Sequence, residues 1–558
     1  MRRGERPVDD DILRLLVHMP FLDRLEAVAV SGWSRGGVYG AVERLEHTGL
    51  VSSVRHGTEL VPTTRRFHLT TDGLGHLARA EGATVECLLR DRPISARWRR
   101  VLMERLDAVA VIYRLASAIS AIAYPIRFRW YRAMPMDAAV ALSDGRTLCM
   151  MRQGGTTDRT GFSKRLWRLM EGARFGGILL LVPDEVRLRH ARRLLAGCSS
   201  LAVLALERGA VAASPEAPIW RLPSVNTAVS LRTALDRIDR GRGLPTERPL
   251  SRVSVPEDIN DGDRRRDVPE HMLPALLKPA EKRTLDLLSD WPWISQGNLA
   301  GLLGVTNRRT SHIVTVLQRF GLATRVTTSG RRLVLTDTGL TLLARRDRAS
   351  LGGVGMRWSP APLDVENGVD WREVSGRRSR QLLRDLGHTS AVHGFIAVLA
   401  RQARSLGWEI AQLDPPHRAS RYFMHLGGRR SVHPDAFGIL QRGDAAWAFF
   451  LEWERRAVRP STMTARLAPY LRYYSSHRPT DDHGVKPALM VVFDEDIAQA
   501  HFIKVARFEM DRVRVAIPLL ASHRDLLEQE GPLGRAWFAP NGGWEPVRPT
   551  NVRETGQE

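Results

Sequence analysis

The chain has 558 residues, of which 43% are hydrophobic and 26% are charged. This composition is typical of soluble globular proteins and excludes collagen-like, mucin-like and mostly disordered chains. Because one domain usually has roughly 100–200 residues, the length predicts a modular protein of about three to five folding units. Lys and Arg outnumber Asp and Glu by 83 to 61, and the net charge of +22 favours a polyanionic partner such as nucleic acid.

Cysteine usage and the apolar segments restrict the location of the protein. The three cysteines, Cys87, Cys149 and Cys198, show no CxxC spacing, which excludes a disulfide framework and a cysteine zinc site. The most apolar helical stretch, residues 108–123, contains Arg114 and is too short to span a bilayer. We therefore expect a cytoplasmic protein with no membrane partner.

Self-comparison of the sequence reveals an internal repeat. Residues 65–79 read RRFHLTTDGLGHLAR and residues 331–345 read RRLVLTDTGLTLLAR, so both contain RR-x-x-LT-x-x-GL-x-x-LAR. The similarity continues upstream, where Gly49 stands opposite Gly321. Such a long shared pattern at one spacing predicts that the fold is built from two copies of one unit.

Each copy has the pattern of a winged helix-turn-helix. In the second copy, Thr306 is a plausible N-cap for a helix whose polar face suits the major groove, and residues 324–326 and 331–335 form the wing. The predicted DNA contacts of this copy are Asn307, Arg308, Arg309, His312, Arg325, Arg331 and Arg332.

The first copy offers fewer cations for DNA. Its corresponding helix begins near Ser34, and Gly36 and Gly37 weaken it. The predicted contacts are Arg35, Arg44, Arg65 and Arg66. Winged helices also serve as dimerisation or docking modules, and surface arginines often only improve solubility, so that alternative stays open for both copies.

The repeat extends beyond the winged helices into an α/β domain. Residues 136–142 (MDAAVAL) match residues 434–440 (PDAFGIL), and residues 176–185 match residues 486–495. The sequence thus predicts two tandem copies of a winged helix followed by an α/β domain. The predicted boundaries are 8–82 for the first winged helix, 95–240 for its α/β domain, 241–275 for a linker, 276–347 for the second winged helix, 348–377 for another linker, 378–540 for the second α/β domain and 541–558 for a polar tail.

Carboxylates on two predicted neighbouring strands mark a candidate metal site. Asp435 opens one strand, and Glu452 and Glu454 lie two residues apart on the next, which directs both to one face. Three converging carboxylates suit Mg²⁺ or Mn²⁺, which can activate water against a phosphodiester. Because arginines flank the pair of glutamates, an ion-paired surface is the alternative.

These motifs resemble known families. The spacing PD-(x16)-E-x-E resembles the PD-(D/E)xK nuclease fold, with Glu454 where lysine is usual. The layout PDA…FFLEWER…RLAPY is more closely similar to the replication-relaxation family of plasmid and integrative-element proteins. Tyr470 matches a tyrosine of that family, but Arg466 stands where it has lysine. An arginine cannot act as a general base, although it can hold a phosphate.

The first α/β domain lacks most of this site. Asp137 matches Asp435, but Met151 falls at the position of Glu452 and Gln153 at that of Glu454. We therefore expect a degenerate copy without metal chemistry.

Two histidines precede the candidate site on one predicted helix. His388 and His393 are five residues apart, which separates them by about 140° around the helix. They are therefore not expected to share a metal. His388 is expected to line the cleft, and His393 is expected to be a core residue.

The resemblance implies an α+β or α/β multidomain protein with two copies of a winged helix plus a nuclease-like mixed sheet. It implies a double-stranded-DNA-binding protein of a mobile element, acting in replication, relaxation or transfer. Asp435, Glu452, Glu454 and Arg466 would form a Mg- or Mn-dependent nickase site. The alternative is a non-catalytic adaptor or regulator that docks DNA or a replication or conjugative-transfer protein on pseudo-nuclease domains.

Overall fold

The protein is described here from a computed structural model, in which two compact units are defined by their internal contacts. The first contains residues 1–283 and 341–354, and the second contains residues 284–340 and 355–558. The described residues are 8–156, 158–172, 175–198, 200–225, 227–241, 243–259, 268–328, 330–363, 369–443, 445–454, 459–540, 544–545 and 550–551. Most of the predicted tail and parts of both predicted linkers lie outside these residues.

The first unit begins with helices followed by a β-hairpin and a further helix. In chain order these are α1 (Val8–His18), α2 (Arg24–Ser31), α3 (Arg35–His47), β1 (Val51–His56), β2 (Thr64–Leu69) and α4 (Thr71–Ala80). Ser34 caps α3, as its side chain accepts a hydrogen bond from the Gly37 amide. Leu22 adds an isolated bridge to Phe67 on β2.

A mixed sheet with helices on both faces makes up most of the remaining first unit. Its elements are α5 (Val85–Asp91), α6 (Ala96–Glu104), α7 (Leu106–Ala123), β3 (Ile126–Trp130), β4 (Ala138–Leu142), β5 (Thr147–Arg152), α8 (Arg159–Glu171), β6 (Gly177–Val182), α9 (Glu185–Leu195), β7 (Leu201–Leu206), α10 (Glu207–Ala212), β8 (Trp220–Arg221), β9 (Ala228–Val229), α11 (Leu231–Asp236) and α12 (Leu273–Leu276). Alternate residues of β4 to β7 belong to different apolar clusters, because strand side chains alternate between the two faces.

Helix α7 is the apolar stretch noted in the sequence. Within the described residues it alone is long and apolar enough to cross a membrane, yet 61% of it is buried inside the protein. Arg114 in its middle pairs with Asp23 and Glu26. The expectation that the stretch is too short to span a bilayer is wrong, because the helix begins two residues earlier, but its burial makes it part of the core of the first unit, as the sequence predicts.

The second unit repeats the opening order of elements. These are α13 (Pro279–Asp290), α14 (Gln296–Leu303), α15 (Asn307–Arg319), β10 (Ala323–Thr328), β11 (Gly330–Leu335), α16 (Asp337–Arg346) and α17 (Leu351–Trp358), of which the first and the last two extend across the boundaries between the units. Ile294 forms an isolated bridge to Leu333, as Leu22 does to Phe67. Thr306 caps α15 through the Arg309 amide, as predicted.

A second mixed sheet follows. Its elements are α18 (Arg377–Arg384), α19 (Leu386–Ser405), β12 (Glu409–Asp414), α20 (Pro416–Ala419), β13 (Arg421–His425), β14 (Gly428–Val432), β15 (Ala436–Arg442), β16 (Ala445–Glu454), α21 (Pro460–Tyr474), α22 (Arg478–His483), β17 (Ala488–Phe493), α23 (Asp496–Val513), β18 (Leu519–His523), α24 (Arg524–Glu530), β19 (Trp537–Phe538), β20 (Trp544–Glu545) and β21 (Thr550–Asn551).

The two large sheets have the same strand order over their described residues. The first runs β3-β4-β5-β6-β7-β8-β9, and the second runs β12-β15-β16-β17-β18-β19-β20, with β21 added beside β16. In both, antiparallel pairs lie on either side of a parallel centre. The fold class is therefore mixed α/β, with mixed sheets in both units.

The motif LT-x-x-GL of the repeat has a direct structural cause. The Thr70 hydroxyl donates to the Gly49 carbonyl over 2.7 Å and accepts from the Gly73 amide, so it caps α4 and ties that helix to the end of α3. A Cβ on Gly73 would collide with the Leu50 carbonyl oxygen. Glycine is required there because the backbone of another segment approaches too closely for any side chain.

The second copy forms the same junction. The Thr336 hydroxyl donates to the Gly321 carbonyl and accepts from the Gly339 amide. A Cβ on Gly339 would collide with the Leu322 carbonyl oxygen. The Thr and Gly shared by the two copies of the motif are thus the residues that join each hairpin to the helix after it.

Replacing Gly339 tests this explanation. We expect Gly339→Ala to destabilise the protein by about 1–3 kcal/mol, because the backbone must shift to admit the methyl group. Gly352→Ala is the matched control, since a Cβ there meets open space at the start of α17. Urea denaturation followed by tryptophan fluorescence measures both, and equal stability of the two variants would contradict the explanation.

Candidate functional site

A cavity of about 830 Å³ opens beside the sheet of the second unit. Its wall includes the predicted site residues Asp435, Glu452, Glu454, Arg466 and Tyr470. The residues come from three elements, since Asp435 precedes β15, the glutamates end β16, and the other two lie on α21. The tertiary structure thus brings the predicted residues to one place.

Strand pairing determines the position of Asp435. The antiparallel pairing of β15 with β16 continues as the Asp435 amide donates to the Leu451 carbonyl over 2.8 Å. One carboxylate oxygen then accepts from the Trp453 amide, also over 2.8 Å. The side chain is therefore held next to Glu452, which lies between those two residues on β16.

His388 on α19 contacts the other oxygen of Asp435. Its Nε2 lies 2.9 Å from Oδ1 of that carboxylate. His388 lines the cavity, as predicted from the sequence, and the structure adds a direct contact with the site.

Glu452 is held in an uncharged form at neutral pH. Burial, and to a smaller extent the nearby Asp435 carboxylate, raise the pKa of Glu452 to about 8, although a hydrogen bond from the Tyr470 hydroxyl and the charge of Arg466 offset part of the rise. Two adjacent carboxyl groups in a partly buried cleft repel each other when both are ionised. A cation or proton is therefore required to neutralise the pair.

Glu454 takes part in a different contact. It forms an ion pair with Arg466, whose side chain is 51% exposed. No group of three or more His, Cys, Asp or Glu side chains is placed to hold a metal ion within the described residues. The structure therefore brings Asp435 and Glu452 together but pairs Glu454 with Arg466. Of the nearby arginines, Arg455 and Arg456 lie outside the described residues.

His393 lies in the protein interior. It is 3% exposed, its ring packs edge-on against Trp291, and burial lowers its pKa to about 3. This agrees with the core role expected from its position on the helix.

The polar end of α15 is open to solvent. Asn307, Arg308, Arg309 and His312 are all exposed, and the described residues contain no ion-pair partner for either arginine. Arg331 on the hairpin is exposed as well. These side chains are therefore accessible to an external anion.

Two other predicted contacts in this copy are less accessible. Arg325 is half-buried and donates to the Gln296 side chain and the Ser311 hydroxyl. Arg332 is also half-buried, and burial lowers its pKa. Both side chains serve the packing of the hairpin against the helices.

Acidic partners neutralise the corresponding cations of the first copy. Arg44 pairs with Asp9, and Arg65 pairs with Glu46. Arg35 is exposed and lies over the ring of Tyr39. These contacts leave less free positive charge than on α15.

The prediction that Arg66 contacts DNA is wrong. Its side chain is fully buried, and its guanidinium donates to the Glu26 carboxylate and the Phe21 carbonyl. Neighbouring strand residues point to opposite faces, so one of Arg65 and Arg66 had to face inward. The sequence did not indicate which of the two faces is buried.

The first sheet has an equivalent position for each residue of the site. The Asp137 amide donates to the Met150 carbonyl, and its carboxylate accepts from the Arg152 amide. Met151 therefore stands where Glu452 stands, and Gln153 where Glu454 stands. Met151 is fully buried in an apolar cluster.

Two arginines bind the carboxylate of Asp137 in the first sheet. Arg165 donates to one oxygen of Asp137 over 2.9 Å, and Arg348 donates to the other over 3.0 Å. Burial alone would raise the pKa of Asp137, but these two guanidiniums hold it well below its usual range. The sequence does not indicate Arg348, which is 211 residues away along the chain.

The pH dependence of stability tests the environment of Glu452. Its folded pKa is raised from 4.5 to about 8, so only the folded protein keeps this proton between those values and stability falls as pH rises through that range. In EDTA, we expect Glu452→Gln to flatten this fall, because glutamine cannot ionise. Thermal unfolding between pH 5 and 8.5 measures it, and parallel profiles of the two proteins would contradict the raised pKa.

Comparison with known proteins supports the resemblance found in the sequence. A family model described as replication-relaxation matches residues 285–489. No curated protein and no solved structure matches the chain. The matched residues run from α13 to the start of β17 and include Asp435, Glu452, Glu454, Arg466 and Tyr470. Residues 285–489 thus carry the pattern of the replication-relaxation family, which confirms the resemblance drawn from the sequence motifs.

Proposed function

We propose that this protein binds duplex DNA through the second copy of a winged helix. The observation that carries the proposal is the exposed set of Asn307, Arg308, Arg309 and His312 on α15, in which neither arginine has an ion-pair partner among the described residues. These side chains can reach both phosphates and base edges.

The order of elements supports this reading. Helices α13, α14 and α15 precede the β10–β11 hairpin, and Ile294 forms an isolated bridge to Leu333 of that hairpin. In winged helices the last helix before the hairpin enters the major groove. Its N-terminal end, where Arg308 and Arg309 lie, also carries the positive end of the helix dipole.

The first copy is proposed to support the fold more than to bind DNA. Arg44 and Arg65 are occupied by carboxylates, and Arg66 belongs to the core. The matching strand orders of the large sheets support an origin by duplication. The family match supports a role in replication or relaxation of a mobile element. Replication or transfer proteins are the protein partners expected for that role.

A salt-dependent affinity tests DNA binding. We expect the affinity for a short duplex to fall steeply as salt rises, because phosphate contacts release counterions. Arg308→Ala with Arg309→Ala should weaken it by at most a few kcal/mol and reduce the slope of the salt dependence. Fluorescence anisotropy measures both quantities.

The first copy provides the matched control. Arg44→Ala with Arg65→Ala removes the same charge from positions that already have acidic partners, so its effect should be smaller. Equal effects of the two double variants would show that only net charge matters. A salt-insensitive affinity would remove the DNA-binding proposal.

A second candidate function is metal-dependent cleavage of DNA at the cavity. The observation that favours it is the close pair Asp435 and Glu452, whose repulsion a divalent cation would relieve. Their oxygen ligands fit Mg²⁺ or Mn²⁺, and Glu454 would complete the set on leaving Arg466. A bound ion of this kind supplies a water of lowered pKa for attack on a phosphodiester.

Other residues around the pair have separable roles. His388 orients the Asp435 carboxylate, and the Tyr470 hydroxyl orients Glu452. Arg466 can hold a phosphate but cannot take up a proton from water. Its presence at the usual lysine position favours the alternative of a DNA-binding adaptor without catalysis.

Supercoiled plasmid distinguishes the enzyme from the adaptor. Because only the second unit has the carboxylate pair, a catalytic protein should nick and yield relaxed circles in Mg²⁺ or Mn²⁺. Asp435→Asn should abolish this product, whereas Asp137→Asn should leave it unchanged in protein that retains its circular dichroism spectrum.

Metal binding has its own readout. Quenching of tryptophan fluorescence by Mn²⁺ should saturate and should be lost in Asp435→Asn, because Trp453 adjoins the site. Linear product at low protein concentration would mean that both units cut. Absence of product with both metals, while DNA still binds, would support the adaptor and remove the nickase.

A further inference from the structure

The β13–β14 hairpin of the second unit is a separate two-stranded sheet, inserted in the chain between two strands that pair directly in the large sheet. It lies between β12 and β15, whereas residues 131–137 alone connect the equivalent strands β3 and β4 of the first unit. Its base adjoins the cavity, because Ser431, Val432 and His433 are part of the cavity wall. The copy with the carboxylate pair therefore also has an extra hairpin beside it.

One face of the hairpin is anchored in the core. Arg421 is 1% exposed, donates to the carbonyls of Arg418, Ala419 and Ser420, and lies over the Phe437 ring. Buried Phe423 follows on the same face and packs against the ring of Tyr473. The base of the hairpin is thus rigidly held.

The opposite face and the tip expose apolar side chains. Tyr422 is 42% exposed, Met424 is 63% exposed, and Leu426 at the tip is 94% exposed. Single exposed apolar residues are normal on protein surfaces, but three at alternate positions on one hairpin form a continuous apolar edge.

The turn itself does not favour leucine. Leu426 and Gly427 both have positive φ, at 47° and 74°, and such turns normally use Asn, Asp or Gly at the first position. A leucine in this left-handed region is strained, and its side chain gains nothing from packing. Its presence at the tip is therefore better explained by contact with a partner than by the stability of the turn.

A cation lies beside this apolar edge. Arg429 is exposed, pairs with Met424 and lies over the ring of Tyr422 at 4.7 Å, whereas exposed Arg430 pairs with Phe423 and so belongs to the other face. A partner that suits both features has an anionic exterior and an apolar interior. Duplex DNA meets this description, since its phosphates surround stacked bases, and apolar side chains flanked by arginines are known to enter base steps.

We propose that the hairpin tip inserts Leu426 and Met424 between base pairs of bound duplex DNA and unstacks them, while the base of the same hairpin forms part of the cavity wall. Arg429, on the same face as Met424, contacts the adjoining phosphates. This inference rests on the proposed DNA binding, but it assigns a different surface from α15 and a different effect on the duplex.

Base unstacking and affinity are measured separately to test it. The probe is a short duplex with 2-aminopurine at several positions, whose fluorescence rises when a base is unstacked, and anisotropy of an end label reports binding. We expect the protein to raise the 2-aminopurine signal. Leu426→Ser with Met424→Ser should lose most of this increase, while the affinity changes little because α15 is intact.

Ile497→Ser is the control for loss of an exposed apolar side chain, since Ile497 is 61% exposed and belongs to α23 instead of the hairpin. It should leave both signals unchanged. Binding without any rise in 2-aminopurine fluorescence, or an equal rise with the double variant, would overturn the insertion and leave DNA binding standing. Failure of the wild-type protein to bind the duplex would overturn both the DNA-binding proposal and the insertion. A wild-type dimer in sedimentation that the double variant abolishes would assign the tip to a second copy of the chain instead.

Discussion

Both large sheets depend on one hydrogen-bonding arrangement, in which an aspartate at the start of a strand accepts from a backbone amide of the next strand. Asp137 accepts from the Arg152 amide, and Asp435 accepts from the Trp453 amide. The backbone amide of each aspartate also donates to the residue two positions earlier on that strand. The residue between the two contacts, Met151 in one sheet and Glu452 in the other, therefore lies beside the carboxylate. The surroundings of that aspartate then decide what each unit can do.

Arginine partners account for much of the difference between the two halves. Asp137 is neutralised by Arg165 and Arg348, and the neighbouring position is filled by buried Met151. Asp435 instead contacts His388 and lies beside Glu452, which leaves the pair without a full cationic partner. A buried carboxylate is costly unless paired, so the first arrangement favours stability and the second favours binding of an external cation.

Pairing with opposite charges of the same unit also distinguishes the two surfaces proposed for DNA. The cations of the first hairpin and its helix are largely joined to carboxylates of the same unit, whereas those at the start of α15 have none among the described residues. Two surfaces of similar formal charge therefore differ in the charge that they present to solvent. In the second unit an added hairpin with an apolar tip lies beside the cavity, so this unit combines a basic helix, a carboxylate pair and an exposed apolar edge.

The sequence by itself determined the repeated motif, the starts of α3 at Ser34 and of α15 at Thr306, the buried α7 and the alignment of Asp137 with Asp435, because these follow from local patterns of apolar residues, caps and turns. Tertiary structure alone decided that Arg66 is buried, that Glu454 pairs with Arg466 and that Arg348 reaches Asp137. Such ion pairs depend on distances between segments far apart in the chain. The sequence does not show whether an arginine side chain contacts water, a carboxylate or a phosphate, because its guanidinium can bind all three.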